Sequence, residues 1–248
     1  MGNSELIILT ISAFGTSALT AVVGAGGGTA LIAIMLQFMS PANAIPVHGA
    51  VQVASNSTRV WLLRNHLAWP IIFRFVSLMP FGVWLGLELL QGLPTQAIQI
   101  LIGCFVLVSL LARQIGRFRE KDLPLPAFFP IGFLAGALNM VVGVIAPVLG
   151  VLIIRKSLTR ESIVGTLAFF GFIGHFLKIV GFTIIGFNFV AYWPEILLMG
   201  MATVIGTRIG RSLLSNLNEK YFLFAFRLVL ISLAFKLIVI DGMGLFTR

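Results

Sequence analysis

Acidic side chains are scarce in this chain: eight Asp and Glu stand against 17 Lys and Arg in 248 residues. The eight are Glu5, Glu88, Glu120, Asp122, Glu161, Glu195, Glu219 and Asp241, and all fall at or near the ends of apolar segments. No carboxylate therefore stands mid-segment to bind Na⁺ or a cationic substrate. Cysteine is scarcer still. Cys104 alone, inside an apolar run, excludes a disulfide framework and any metal-ligand spacing. No HExxH, Walker, DxxD or Ser/His/Asp spacing lies on a predicted face, so the chain is expected to be no enzyme and to hold no cofactor or metal. Lys and Arg are missing ahead of the first apolar run, where a cleaved signal peptide carries its basic region. Charged residues make up only 10% of the chain and apolar ones 58%. With a mean hydropathy of +1.05, that excludes a soluble domain and leaves a polytopic membrane protein. The long apolar runs lack the alternation of an outer-membrane barrel, so the expected fold class is all-α. In such a chain the net charge of +9 belongs to basic loops at a membrane surface, not to a nucleic-acid partner.

The apolar segments predict helices over 5–22 and 28–39, 44–63, 68–90, 94–112, 126–142 and 146–154, 161–182, 189–210 and 220–240. A polar link, 113–124, divides the chain into a first membrane repeat, 1–112, and a second, 125–248. The link itself carries Arg113, Arg117, Arg119 and Lys121.

Glycine is concentrated where the first apolar run breaks, in Val22-Val-Gly-Ala-Gly-Gly-Gly-Thr-Ala-Leu31. Each glycine costs a helix roughly 1 kcal/mol against alanine, so the run cannot be one regular helix. In lipid, irregular backbone survives only where it is buried in protein or lines a water-filled cavity. A glycine break followed by a new helix leaves several N–H groups aimed one way, with the positive end of the helix dipole behind them. Such a break is either an anion cradle or a close-packing kink.

The second half repeats the break. Ala18-Leu19-x-x-Val22-Val23-Gly24 matches Ala137-Leu138-x-x-Val141-Val142-Gly143, 119 residues on. Gly28 then aligns with Pro147, and proline suits a first helical position because its missing N–H would be unpaired there. Gly82-x-x-x-Gly86 matches Gly206-x-x-x-Gly210, 124 residues on, and both pairs read as close helix packing.

Loop charge selects a topology. If each broken element is a re-entrant hairpin, one side of the membrane holds Arg64, the basic link, Arg155, Lys156, Arg160, Arg208, Arg211 and Lys220, and the other holds only Arg248. If both elements span, the bias vanishes. The positive-inside rule therefore favours hairpins. Each repeat then has one hairpin and three transmembrane helices, and the two repeats are inverted, as in many transporters. The N-terminus is expected outside and the 113–124 loop in the cytoplasm of a cell inner membrane.

Segment 44–63 is too polar to face lipid. His48, Gln52, Ser55 and Arg59 form one helical stripe, with Asn56 beside it. In segment 161–182 the stripe is Thr166, Gly171, His175 and Lys178. At the same 119-residue offset Asn56 aligns with His175, and Arg59 with Lys178. Each half thus offers one hydrogen-bonding side chain and one cation. Snorkelling to an interface is the competing role for either cation, and core packing the competing role for either histidine. The expected anion site comprises Gly26, Gly27, Gly28 and Thr29 at the first break, Asn139, Ile145 and Ala146 at the second, and His48, Gln52, Asn56, Arg59, His175 and Lys178 on the stripes. A coupled proton, if there is one, would ride on a histidine.

With these features the chain resembles the sulfite exporter TauE/SafE family of membrane permeases. The resemblance rests on Val23-Gly-Ala-Gly-Gly-Gly28, on the repeat from Gly132 to Gly143–Pro147, on the Gly82/Gly86 and Gly206/Gly210 pairs, and on the basic mid-chain loop. It implies transport of small sulfur-containing anions, either sulfite or organosulfonates such as sulfoacetate. The residues themselves imply an anion held between two hairpin tips and released by alternating access. An uncoupled, channel-like anion pathway and a non-transporting membrane scaffold remain the alternatives.

Overall fold

A computed structural model describes residues 2–23, 26–116, 122–155, 157–214 and 219–242. Gly24, Ala25, Arg117, Arg119, Lys121, Lys156 and Arg248 lie outside them. The described residues form helices and turns without a strand: α1 (Asn3–Val23), α2 (Gly27–Met35), α3 (Pro41–Leu62), α4 (Trp69–Gly92), α5 (Thr95–Gly116), α6 (Phe128–Val142), α7 (Ala146–Leu152), α8 (Arg160–Ile184), α9 (Trp193–Leu214) and α10 (Glu219–Phe235), the last running into a π-helical turn, Lys236–Ile240. Among these residues, five stretches are long and apolar enough to cross a bilayer: 3–21, 69–92, 125–142, 160–184 and 189–210. The chain is an all-α, multi-pass membrane protein.

Local chemistry sets the ends. Pro41 opens α3 and Pro147 sits in the first turn of α7, where a missing N–H costs nothing. Thr159 caps α8 by accepting the Ser162 N–H at 3.2 Å. Gly143, at φ +83°, ends α6 in the left-handed conformation that glycine adopts without penalty.

Both broken elements double back. Ser12, Thr16 and Leu19 of α1 line one crevice with Ala30 and Ile34 of α2, so α2 returns along α1. In the second half Arg155, beyond α7, donates to the Leu123 carbonyl ahead of α6 at 2.7 Å. The chain therefore leaves the second break on the side from which it entered.

Each half lends its hairpin to the other. α1 packs on α9, and α6 packs on α4. The glycine pairs make both contacts close. A methyl on Gly82 would strike the Phe133 carbonyl, and one on Gly206 the Phe14 carbonyl. Gly86 and Gly210 face Ala137 and Ala18 in the same way. Phe14 and Ala18 precede Phe133 and Ala137 by the repeat offset of 119 residues. Without a hydrophobic drive between helices in lipid, such close backbone approach supplies the attraction.

At the centre α3 crosses α8 antiparallel. Gly49 faces Lys178, Gly171 faces Asn56, and Gly165 faces Leu63. This crossing buries the polar stripes in protein, which answers the cost of placing them at membrane depth. His48, Gln52, Ser55, Asn56 and Arg59 of α3 are buried, as are Thr166, His175 and Lys178 of α8.

Candidate functional site

The two breaks face one cavity. Gly26 and Gly28 line it from the first, and Val144, Ile145 and Ala146 from the second. α3 contributes Gln52, Asn56 and Arg59, and α8 contributes Gly171 and His175. Thr20 of α1 and Asn139 of α6 add one polar side chain from each long hairpin arm. The remaining wall is apolar: Met79, Leu149, Leu167, Ala168 and Phe170. Phe170 stacks on Phe75 with ring centres 3.8 Å apart, so that wall is firmly packed. The cavity volume is about 40 Å³. On that measure one water needs roughly 10–15 Å³, so the space suits a few waters or one small polyatomic ion.

Arg59 is 8% exposed, which sets aside snorkelling. One guanidinium nitrogen donates to Asn56 Oδ1 at 2.7 Å, while Nε is buried without a partner. No carboxylate pairs with Arg59 among the described residues. A buried cation with a free donor, in a cavity, calls for an anion from outside the protein.

The neighbouring amides extend the donor set. Asn56 Nδ2 donates to the Gln52 carbonyl at 2.9 Å, fixing the amide that holds Arg59. His48 Nε2 lies 3.0 Å from the Gly28 carbonyl, which only accepts, so the ring proton sits on Nε2. That nitrogen then has no lone pair for Gln52 Nε2, 3.3 Å away. The two are complementary when Gln52 turns its oxygen toward His48 and its NH₂ group toward the cavity. At the first break, the α2 ladder begins with Ala30 N–H to Gly26 O at 3.1 Å. The N–H groups of Gly27, Gly28 and Thr29 precede it and have no helical acceptor.

Of the sequence-predicted residues, the cavity gathers Gly26, Gly28, Gln52, Asn56, Arg59, Asn139, Ile145, Ala146 and His175. Four sit behind it. A methyl on Gly27 would strike the Thr16 carbonyl and Thr20 Oγ1, so this glycine lets α2 approach α1. Thr29 is buried with its hydroxyl unpaired, outside the lining. His48 pins the start of α2 and meets His175 edge to face, with ring centres 5.5 Å apart. Lys178 is fully buried and donates to the Gly143 carbonyl at 2.7 Å. The aligned cations thus occupy different places: Arg59 lines the cavity and Lys178 holds the second break. Thr20 was not expected from the sequence, although it precedes Asn139 by 119 residues and the repeat offset points to it.

A family model described as sulfite exporter TauE/SafE matches residues 9–237. No curated protein and no solved structure matches the chain.

Proposed function

The chain belongs to the sulfite exporter TauE/SafE family, a family of membrane transporters, and on that premise we propose that it carries a small sulfur oxyanion, held between the two hairpin tips. The observation that carries this reading is Arg59, buried in the cavity with a free Nε and no carboxylate partner among the described residues. An anion there meets the guanidinium, the carboxamides of Gln52, Asn56 and Asn139, and the N–H groups ahead of the α2 ladder. The 40 Å³ cavity favours compact sulfite over a sulfonate with a carbon chain. The lining comes from both halves, which suits a site at the interface of two repeats.

In this reading the halves 1–112 and 125–248 are inverted repeats joined by a cytoplasmic 113–124 link, in an inner membrane with the N-terminus outside. The antiparallel pairing of α3 with α8, which occupy matching places in the two halves, supports the inversion. Alternating access then follows from movement of one hairpin against the rest. His175, which lines the cavity, is the natural carrier of a coupled proton.

Calorimetry on detergent-purified protein tests the anion. We expect sulfite to bind, sulfoacetate to bind more weakly, and acetate not to compete. Arg59→Met should cost sulfite about 2–5 kcal/mol, because the anion is left buried and unpaired. Equal binding of all three anions would overturn the sulfite reading, and an Arg59→Met protein that binds like wild type would remove Arg59 from the site.

A further inference from the structure

We propose that Lys178 is a latch on the second hairpin and not a ligand of the transported anion. Repeat alignment pairs Lys178 with Arg59, yet the two side chains do different things. The Lys178 stem runs along α3 past Gly49, where a methyl would lie 2.9 Å from Cδ. Its ammonium ends 2.7 Å from the Gly143 carbonyl. Gly143 is the left-handed residue that terminates α6, and Val144, Ile145 and Ala146 of the cavity wall follow it directly. Lys178 itself is absent from that wall.

The last carbonyls of a helix lack internal donors and carry the negative end of its dipole. A cation brought from another helix satisfies one of those carbonyls. Here α8 supplies it, so the position of the second tip is tied to α8 through one side chain. Gly49 supplies the channel for that side chain. Of the two cations, only Arg59 then sets the charge of the site, while Lys178 sets the geometry of Ile145 and Ala146. Lys178 is in this sense a positioning residue.

Two variants test the latch independently. Lys178→Met removes the ammonium. Gly49→Ala keeps it but pushes the stem aside. Hydrogen exchange is followed in anion-free protein at residues 143–146 and 148–149, with residues 27–35 as the internal comparison. In parallel, binding is measured for sulfite at alkaline pH, where it is a dianion, and for chlorate, a monoanion of the same pyramidal shape. We expect both variants to raise exchange at the second tip at least tenfold and to leave the first unchanged. Lys178→Met should keep the wild-type preference for sulfite over chlorate, because no charge has left the site, whereas Arg59→Met should collapse it. Unchanged exchange at 143–149 in Gly49→Ala, or a collapsed preference in Lys178→Met, overturns the latch. The binding arm rests on the anion site proposed above, and the exchange arm does not. If wild type binds neither anion, the transport reading fails and exchange still decides the latch. If Lys178→Met fails to fold, Gly49→Ala alone decides it.

Discussion

A methyl group at Gly82 has nowhere to go, because the Phe133 backbone carbonyl already occupies its place. Gly82→Ala should therefore force α4 from α6 and destabilise the protein by about 1–3 kcal/mol. At Gly15, where a methyl meets nothing within 4 Å, alanine should be neutral or stabilising by up to about 1 kcal/mol. Melting temperatures in detergent, compared side by side, check both. Charge makes the second prediction at this scale. Asn139→Asp would place a carboxylate in the cavity wall beside the proposed anion. Like-charge juxtaposition costs several kcal/mol, so sulfite affinity should fall at least a hundredfold while the protein stays folded. Calorimetry reads it, and sulfite binding within a few-fold of wild type would put Asn139 outside the site. Residue roles were only partly legible in the sequence. The stripe spacing identified which α3 residues are buried, since a helical face follows from spacing alone. It could not separate Arg59 from Lys178, because one rotates toward the cavity and the other toward Gly143, a tertiary choice. Spacing also could not show that Gly27 is a packing position, where a methyl would strike the Thr16 carbonyl and Thr20 Oγ1.

The helices were the most legible level. Predicted segment 68–90 is α4, Trp69–Gly92, and predicted 161–182 is α8, Arg160–Ile184. Continuous apolar runs bounded by proline, glycine and charge leave few other solutions in lipid. Loop charge predicts the doubling back of each broken element, and the Arg155–Leu123 hydrogen bond and the α1–α2 crevice are consistent with it. A labelling experiment extends it to the membrane. On a Cys104→Ala background, a cysteine at Ser157 should react with an impermeant maleimide from the cytoplasmic face only. Cysteines at the exposed Ser40 and Asn188 should react from the opposite face only. Ser157 and Ser40 labelled from one face would break the inverted arrangement.

At the scale of the whole molecule, two hairpins meet across a cavity that each half builds with the other's helices. The long arm of each hairpin is fastened by glycines, α1 to α9 and α6 to α4. The short arms are held differently. α7 is followed by the Arg155 contact and preceded by the Lys178 contact. α2 instead borders an apolar crevice of about 190 Å³ against Val229 and Leu230 of α10. That crevice leaves α2 room to shift against α10, so the α1–α2 hairpin is the one expected to move. In proteoliposomes, a bulky Ala30→Leu filling of that crevice should lower the sulfite transport rate several-fold and leave affinity within a few-fold of wild type. An unchanged rate would assign the motion elsewhere.

We propose that this chain moves a small sulfur oxyanion through a site between the hairpin tips, neutralised by Arg59. Counterflow of radiolabelled sulfite in proteoliposomes tests it most directly. Vesicles preloaded with unlabelled sulfite should accumulate label above protein-free vesicles with wild-type protein, and accumulation should vanish with Arg59→Met. Preloaded acetate should drive none. Wild-type vesicles that accumulate no more label than protein-free ones, or an Arg59→Met protein that accumulates as much as wild type, would contradict the account.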